Sequence, residues 1–437
     1  MTESARLRLE TTGFAHGGHA VARHEGRVVF VRHALPGEVV LAQVTRGGAD
    51  DRFWFADAVS IERAAPGRVS PPCRYAGPGG CGGCDLQHAD VATQRELKAG
   101  VVREQLSRLA DLDRDVVVEP VPGDENGLRW RSRVEFAVDA AGRAGLRPFR
   151  SRDVLPIDDC LIARHDILDT GVLSRAWPGR AGVDAVAPSV GEPVLVPLVP
   201  RVPPREAARG SRRPGRSDRS GGERRRGRVV PPRPEEPVPE VLERVETPRW
   251  SGQLAVGARG FWQVHPGAAS TFLARVLDAL EPRPGESALD LYAGVGLFAR
   301  ALADLVGPGG RVTAVEGDRE AVDYGRRDTA SVRQLEWVAG DVSGALAPRV
   351  EAGQRADLVV LDPPRTGAGA RVMAQVAALR PRAVAYVACD PAALARDLRA
   401  LTDSGYELAD LRAYDAFPMT HHVECIAVCV PSGGRPR

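Results

Sequence analysis

The sequence predicts a multidomain chain: an N-terminal OB-like β-barrel, a central α+β domain carrying a cysteine cluster, and a C-terminal α/β, Rossmann-like domain. Three observations predict this. Short β-branched runs punctuated by glycines fill residues 6–62. Three cysteines share one glycine-rich loop, Cys73 to Cys84. Beyond residue 263, apolar strands alternate with helical stretches, the rhythm of a mostly parallel sheet covered on both faces.

The bulk numbers bound the rest. A chain of 437 residues has room for two or three domains, and 43% hydrophobic content is enough for their cores. A formal charge of +2 gives no whole-molecule case for a polyanionic partner. No apolar run approaches a membrane span, and the polar start Met1-Thr-Glu-Ser-Ala-Arg6 lacks a signal-peptide core. A cytoplasmic protein with no membrane partner is therefore expected. In a reducing compartment its seven cysteines are expected to bind metal or catalyse rather than form disulfides.

Residues 1–64 form the barrel unit. Val28-Val-Phe-Val31 and Glu38-Val-Val-Leu-Ala-Gln-Val44 read as strands, with Gly13, Gly17, Gly18, Gly26 and Pro36-Gly37 at turns. A five-stranded barrel of the oligonucleotide-binding kind suits this spacing. The pattern alone does not separate a nucleic-acid-binding barrel from one without a binding role.

Residues 65–262 form the central unit. Cys73, Cys81 and Cys84 lie in a loop whose glycines let the backbone wrap a ligand, and Cys160 stands downstream. This set suits an iron–sulfur cluster or a structural zinc. The lack of a second C-x-x-C favours iron–sulfur. A helix is expected over 93–110, with a Thr93–Glu96 capping box and an apolar stripe of Leu97, Val101, Leu106 and Leu109. A strand over 129–136 would put Arg129, Arg131 and Arg133 on one face, either solvated or facing nucleic acid. Residues 200–237 hold twelve arginines and five acids among prolines, glycines and serines, and are expected to be a disordered insertion.

The C-terminal unit is 263–437. A strand over Phe261-Trp-Gln-Val264 leads into it, and a helix is expected over 266–280. Strands are expected near 287–292, 311–316, 335–339, 357–362, 383–389, 406–414 and 422–430. Helices fall near 296–305, 319–330, 368–379 and 391–403. The last strand should run antiparallel, because little separates it from the one before.

The candidate chemistry sits at carboxyl ends of strands, where open α/β sheets bind ligands. Asp290-Leu-Tyr-Ala-Gly-Val-Gly296 is a strand, a glycine turn and a helix start. Glu316 ends the next strand, where an acid would meet ribose hydroxyls. That pair points to a nucleoside-bearing cofactor without choosing between NAD and S-adenosylmethionine. Asp362 enters Pro363-Pro364-Arg365, and Val384-Ala-Tyr-Val-Ala-Cys-Asp-Pro391 delivers Cys389 to a strand end. A thiol so placed is a candidate nucleophile, against the commoner fate of a buried core cysteine.

Taken in order, Phe261-Trp-Gln-Val264, Asp290 to Gly296, Val315-Glu316, Gly340-Asp341, Leu361-Asp-Pro-Pro-Arg-Thr-Gly367, Val387 to Asp397 and Asp415 to Glu424 closely resemble the RNA uracil-C5 methyltransferase family. The first sixty-odd residues resemble its TRAM domain, and Cys73, Cys81, Cys84 and Cys160 resemble the ligands of its 4Fe-4S cluster. The likeness spans nearly the whole chain except the arginine-rich insertion. It implies S-adenosylmethionine as cofactor and structured RNA as partner, with 23S rRNA favoured and tRNA open, formation of 5-methyluridine, and a monomer. It further implies that Gln263, Tyr292, Gly294, Glu316, Asp341 and Asp362 line the cofactor site, with Arg365 ordering the Asp362 loop.

The implied reaction has a physical logic. Uracil C5 is a poor nucleophile until a thiolate adds at C6. C5 can then take a methyl group, after which a base removes its proton and the thiol leaves. Cys389 fits the nucleophile and Glu424 the base, while His421 and His422 are assigned no catalytic role. The target base would be extruded from its RNA to reach the thiol. Three positions depart from the family pattern: His265 where asparagine is usual, Asp390 within Ala388-Cys389-Asp390-Pro391, and Leu297 where some relatives carry asparagine. They bear on cofactor contacts rather than on the nucleophile or base. The alternative is an RNA-binding or scaffold protein with a vestigial methyltransferase fold, which intact Cys389 and Glu424 argue against. A cytosine-C5 enzyme would show a Pro-Cys nucleophile, and a dehydrogenase would leave the cysteines without a role.

Overall fold

The computed structural model describes residues 6–48, 50–200, 231–235 and 237–433. Strands β1 (Arg6–Ala15), β2 (His19–His24), β3 (Arg27–Arg32), β4 (Val39–Arg46) and β5 (Phe53–Arg63) close into a barrel in the order β1-β2-β3-β5-β4. Alternate residues fill it: Ala20 and Ala22, Val29 and Val31, Val40 and Ala42, Ala56 and Ala58 are all buried. Small side chains suit so narrow an interior, and closure leaves no open strand edge. The expected five-stranded barrel is what forms. Buried Glu38 ties it to the next segment, accepting hydrogen bonds from the Leu35 and Ala65 amides and pairing with Arg68.

Helix α1 (Val91–Gln105) starts two residues before the expected boundary, and its last stretch, Leu106–Ala110, is a π-helical turn. Its cap is Asp90, whose carboxylate accepts from the Thr93 amide at 2.7 Å, so the Thr93–Glu96 capping box is displaced by a better-placed acid. The buried face also departs from the expected stripe. Gln94, Lys98 and Gln105 turn inward with Val101, Val102 and Leu106. The reason is electrostatic: Lys98 Nζ lies 2.5 Å from buried Asp415.

After β6 (Val118–Pro120), strands β7 (Arg133–Val138), β8 (Ala144–Leu146) and β9 (Leu155–Pro156) precede the short helix α2 (His165–Asp169). Strands β10 (Gly182–Val186), β11 (Val194–Val199) and β12 (Arg233–Pro234) follow. They form an antiparallel sheet in the order β12-β11-β10-β7-β8-β9. The expected strand over 129–136 begins only at Arg133, and its three arginines share no solvated or RNA-facing row. Arg129 pairs with Asp159, Arg131 donates to the Arg133 carbonyl, and Arg133 pairs with buried Glu243. Of the expected disordered insertion, residues 233–234 form β12 against β11, while 201–230 and 236 lie outside the described residues.

The hairpin β13 (Glu240–Glu246) and β14 (Ser251–Gly257) leads to a loop at 261–267, where a strand was expected. Trp262 buries there, and the Val264 carbonyl accepts from the Ser132 amide, so this stretch docks sideways on the central unit instead of joining a ladder. Then come α3 (Ala268–Leu280), β15 (Ser287–Leu291), α4 (Leu297–Val306), β16 (Arg311–Glu316), α5 (Arg319–Asp328) and β17 (Leu335–Ala339). After them follow α6 (Val342–Glu351), β18 (Leu358–Leu361), α7 (Ala370–Ala378), β19 (Ala383–Ala388), α8 (Pro391–Thr402), β20 (Tyr406–Asp415) and β21 (Glu424–Pro431). Every expected strand and helix of this stretch is present, β21 is antiparallel to both neighbours, and α6 is an addition.

The sheet order is β17-β16-β15-β18-β19-β21-β20-β6, so a strand from the central stretch, β6, completes it in parallel with β20. Strands β15 to β21 feed two cores. On β19, Ala383, Ala385 and Val387 pack with α3 and α4. Val384, Tyr386 and Ala388 pack with α1, α7 and α8 on the other face. A sheet covered on both sides reads as a continuous apolar run, which is why this strand was legible.

Candidate active site

The carboxyl ends of β15, β16, β18 and β19 point to one edge of the sheet. After β15 the chain makes a tight turn through Tyr292 (φ 63°), Gly294 (φ 55°) and Gly296 (φ 93°) into α4. Gly296 is required: a Cβ there would stand 2.8 Å from the Trp337 ring in a backbone region that side chains rarely adopt. Glu316, at the end of β16, is fixed by two backbone donors, Gly294 N at 2.8 Å and Asp318 N at 2.7 Å. Asp341 caps α6 by accepting from Gly344 N at 2.9 Å. Asp290, missed as a site residue, is fully buried beneath the turn and accepts from Ala299 N at 2.7 Å. Burial, with Asp362 and Glu316 nearby, pushes its carboxyl up to about 8.

The second cluster lies at the ends of β18, β19 and β21. Asp362 follows β18, and burial pushes its carboxyl up to about 7. Ala388 pairs with Cys425 across the antiparallel ladder, so Cys389 and Glu424 stand one step beyond, on neighbouring strands. Glu424 is 4% exposed, and burial plus the Asp362 charge hold its carboxyl well above the usual range. Burial, then Glu424 and Asp362, push the Cys389 thiol up to about 12, while Arg365 opposes them. Thiol, two carboxyl groups and one guanidinium thus share one electrostatic environment. Carboxyl groups displaced toward neutrality are suited to proton transfer near physiological pH. Gln263 lies in the 261–267 loop and makes no side-chain hydrogen bond among the described residues.

The departures have structural roles. Asp390 caps α8, accepting from Ala393 N at 2.8 Å. His265 is buried, stacked on Trp130 with ring centroids 5.9 Å apart. Leu297 begins α4 inside the core. Of the two histidines, His422 lies 3.4 Å from the Arg365 guanidinium and is pushed down to about 3 by burial, so it is neutral. His421 pairs with Asp85 at 2.6 Å.

Sequence reasoning missed the barrel's part in this edge. The β1–β2 turn reaches it: His16 Nε2 lies 3.1 Å from Asp390, and a Cβ on Gly18 would come within 2.9 Å of His421. Only the unusual acid at 390 could have hinted at a partner for that position.

The four cysteines named from the sequence line one cavity together with Tyr75, Gln87, Ile157 and Ile162. None of the seven cysteines forms a disulfide. Burial raises Cys81, Cys84 and Cys160, and nearby Cys73 raises all three further. Among the described residues, no three His, Cys, Asp or Glu side chains converge tightly enough to hold a single metal ion. The four thiols thus share one cavity without forming a metal-ion site among the described residues.

Comparison with known proteins bears on this edge and on the barrel. The family model described as tRNA (Uracil-5-)-methyltransferase matches residues 352–430, and that of the TRAM domain matches 3–59. An uncharacterized RNA methyltransferase of Streptomyces avermitilis is 46% identical over 97% of this chain and 98% of its own. The 23S rRNA (uracil(1939)-C(5))-methyltransferase RlmD of Pseudomonas putida is 33% identical over 97% of this chain and 93% of its own. The crystal structure of Pyrococcus abyssi tRNA (uracil-54, C5)-methyltransferase in complex with S-adenosyl-L-homocysteine superposes with a TM-score of 0.64. It covers 98% of this chain and 100% of that one, at 21% identity, a likeness of fold.

Proposed function

This chain belongs to the RNA uracil-C5 methyltransferase family, and from that premise we propose that it forms 5-methyluridine in structured RNA through a covalent adduct between Cys389 and uracil C6. The observation that carries the reading is that Cys389 and Glu424 stand side by side at the ends of β19 and β21 and share one electrostatic environment. S-adenosylmethionine supplies the methyl group. The 290–296 turn and Glu316, Asp341, Tyr292 and Gln263 bind and orient it. Cys389 adds to C6, making C5 nucleophilic. After methylation Glu424 takes the C5 proton and the thiol is eliminated. Arg365 is the charge that favours the thiolate, and it offsets the two acids as the substrate excludes water.

23S rRNA is the favoured substrate, supported by the relative from Pseudomonas putida, and tRNA is the alternative. The units 1–64, 65–262 and 263–437 act as one RNA-gripping monomer. Cys73, Cys81, Cys84 and Cys160 would hold a 4Fe-4S cluster with a structural role, supported by their common cavity.

The test uses tritiated-methyl S-adenosylmethionine with separated ribosomal and transfer RNA from cells lacking the gene. Wild type should place label in 5-methyluridine of one pool, and Cys389→Ala in neither. Label from Cys389→Ala, or label on another nucleoside, would refute the reading. Iron and sulfide assays after anaerobic purification test the cluster: a folded, fully active protein without iron would exclude it.

A further inference from the structure

The barrel carries a surface that the catalytic reading does not use. Phe53, Phe30 and Phe55 form a ring cluster with centroids 5.4 to 5.7 Å apart. Phe53 is 46% exposed. The loop after β8 places Phe149, 39% exposed, and Arg150 beside it. Arg46 lies 3.9 Å over the Phe55 ring. Arg150 lies 5.5 Å from Phe55 and 5.1 Å from Phe149. Neither arginine has an ion pair among the described residues, and both are exposed. Exposed aromatic rings beside guanidinium groups that have no carboxylate partner make a patch that is apolar and positive at once.

The loop is held deliberately. Cys81 bridges to Pro148, Gly82 N donates to the Arg147 carbonyl, and a Cβ on Gly82 would stand 2.6 Å from Phe149 N. Arg150 sits in the left-handed region at φ 56°, a conformation kept only where surroundings enforce it. Contacts through largely buried side chains tie this loop to the catalytic edge. Arg32 lies 3.7 Å over Phe149 and 3.9 Å from Asp85, Asp85 pairs with His421, and His422 meets Arg365.

We propose that Phe53 and Phe149, with Arg46 and Arg150, stack and hold unpaired bases of the RNA strand that flanks the target uridine. Every base has a π-face, so stacking tolerates any sequence, while guanidinium groups between the rings neutralise phosphates. A duplex presents no free faces, so the surface selects single-stranded flanks. The proposal rests on the RNA-modifying reading above and adds where and how the flank is held.

The test is fluorescence-anisotropy binding by the full chain. The probe is a labelled single-stranded RNA of about ten nucleotides without uridine, compared with its duplex. Phe53→Ala with Phe149→Ala should weaken single-strand binding about tenfold or more, and tyrosine at both positions should retain most of it. Arg46→Ala with Arg150→Ala, both exposed and safe for folding, should lower the log–log salt slope by about 1.4. Unchanged single-strand affinity in both double variants would overturn the proposal and leave a protein partner as the occupant. A larger loss on duplex than on single strand would overturn it too. Because the probe has no uridine, failure of the methylation reading leaves this result intact, and the reverse.

Discussion

His16 Nε2, in the first turn of the barrel, lies 3.1 Å from the carboxylate of Asp390, the residue after the candidate nucleophile. Asp390 also caps α8, so one side chain joins the barrel, the catalytic loop and the helix behind it. The hydrogen bond to Asp390 raises His16 above its ordinary value. Burial works against Asp390, but the bond from His16 holds its carboxyl below the usual range.

The sign of the pH effect follows. His16 with a raised pKa contributes fully below its ordinary value of about 6.5, and the contribution fades as pH rises through the raised value. At the acid end it is lost only when Asp390 protonates through its depressed pKa. His16 is 41% exposed, so the pair is worth at most about 0.5 kcal/mol. His16→Gln should therefore raise KM for RNA roughly twofold near pH 6 and have no effect at strongly alkaline pH. A ratio of wild-type to variant KM that stays flat with pH would show that the contact does not position the barrel.

Glu424→Gln separates the two proton steps. Without a base at this position the thiol can still add and the methyl group can still be transferred, but the C5 proton stays. A methylated protein–RNA adduct, stable to denaturing electrophoresis, should accumulate at near one per chain, with turnover down at least about a hundredfold. Recovery of free 5-methyluridine at the wild-type rate would remove Glu424 from the reaction.

Thiol reactivity reads the same cluster from the other side. Burial, Glu424 and Asp362 push Cys389 up to about 12, so alkylation by iodoacetamide should be slow at pH of about 9. Asp362→Asn removes one opposing charge and should speed alkylation at that pH, while Arg365→Gln should slow it. Peptide mapping by mass spectrometry would follow Cys389 alone. The opposite order for the two variants would mean that these side chains do not share the thiol's environment.

Much of this was legible because local pattern and tertiary role agree. The run Ala383–Ala388 is apolar because both sheet faces are covered, and Cys389 follows at its end. Gly294 and Glu316, both singled out from the sequence, lie 22 residues apart and bond directly. The failures share a cause as well. Lys98 looks like a solvent-facing helix residue until its partner, 317 positions on, is known. Arg133 looks like a solvated strand residue until Glu243 is placed beside it. Phe261 to Val264 has strand composition, but its hydrogen bonds go to the Ser132 backbone. Periodicity carries no information about partners that only the fold brings near.

Lys98 gives the last prediction. It is completely buried, and its ammonium lies 2.5 Å from Asp415 and donates to the Phe417 carbonyl at 3.0 Å. Burial alone would drive its pKa down, and the Asp415 charge opposes this. The bond to Phe417 fixes the start of the loop that leads through His421 and His422 to Glu424. Lys98→Met should cost about 3 kcal/mol in chemical denaturation, because it strands a buried carboxylate that Arg95, at 3.4 Å and half-buried, only partly compensates. Lys98→Met with Asp415→Leu replaces both charges by apolar groups and should recover most of that stability. The double variant still lacks the Phe417 contact, so its methylation rate should stay below wild type after its stability has returned. Recovery of both together would reduce Lys98 to a purely stabilising role. Recovery of neither would place the cost in packing rather than in the stranded charge.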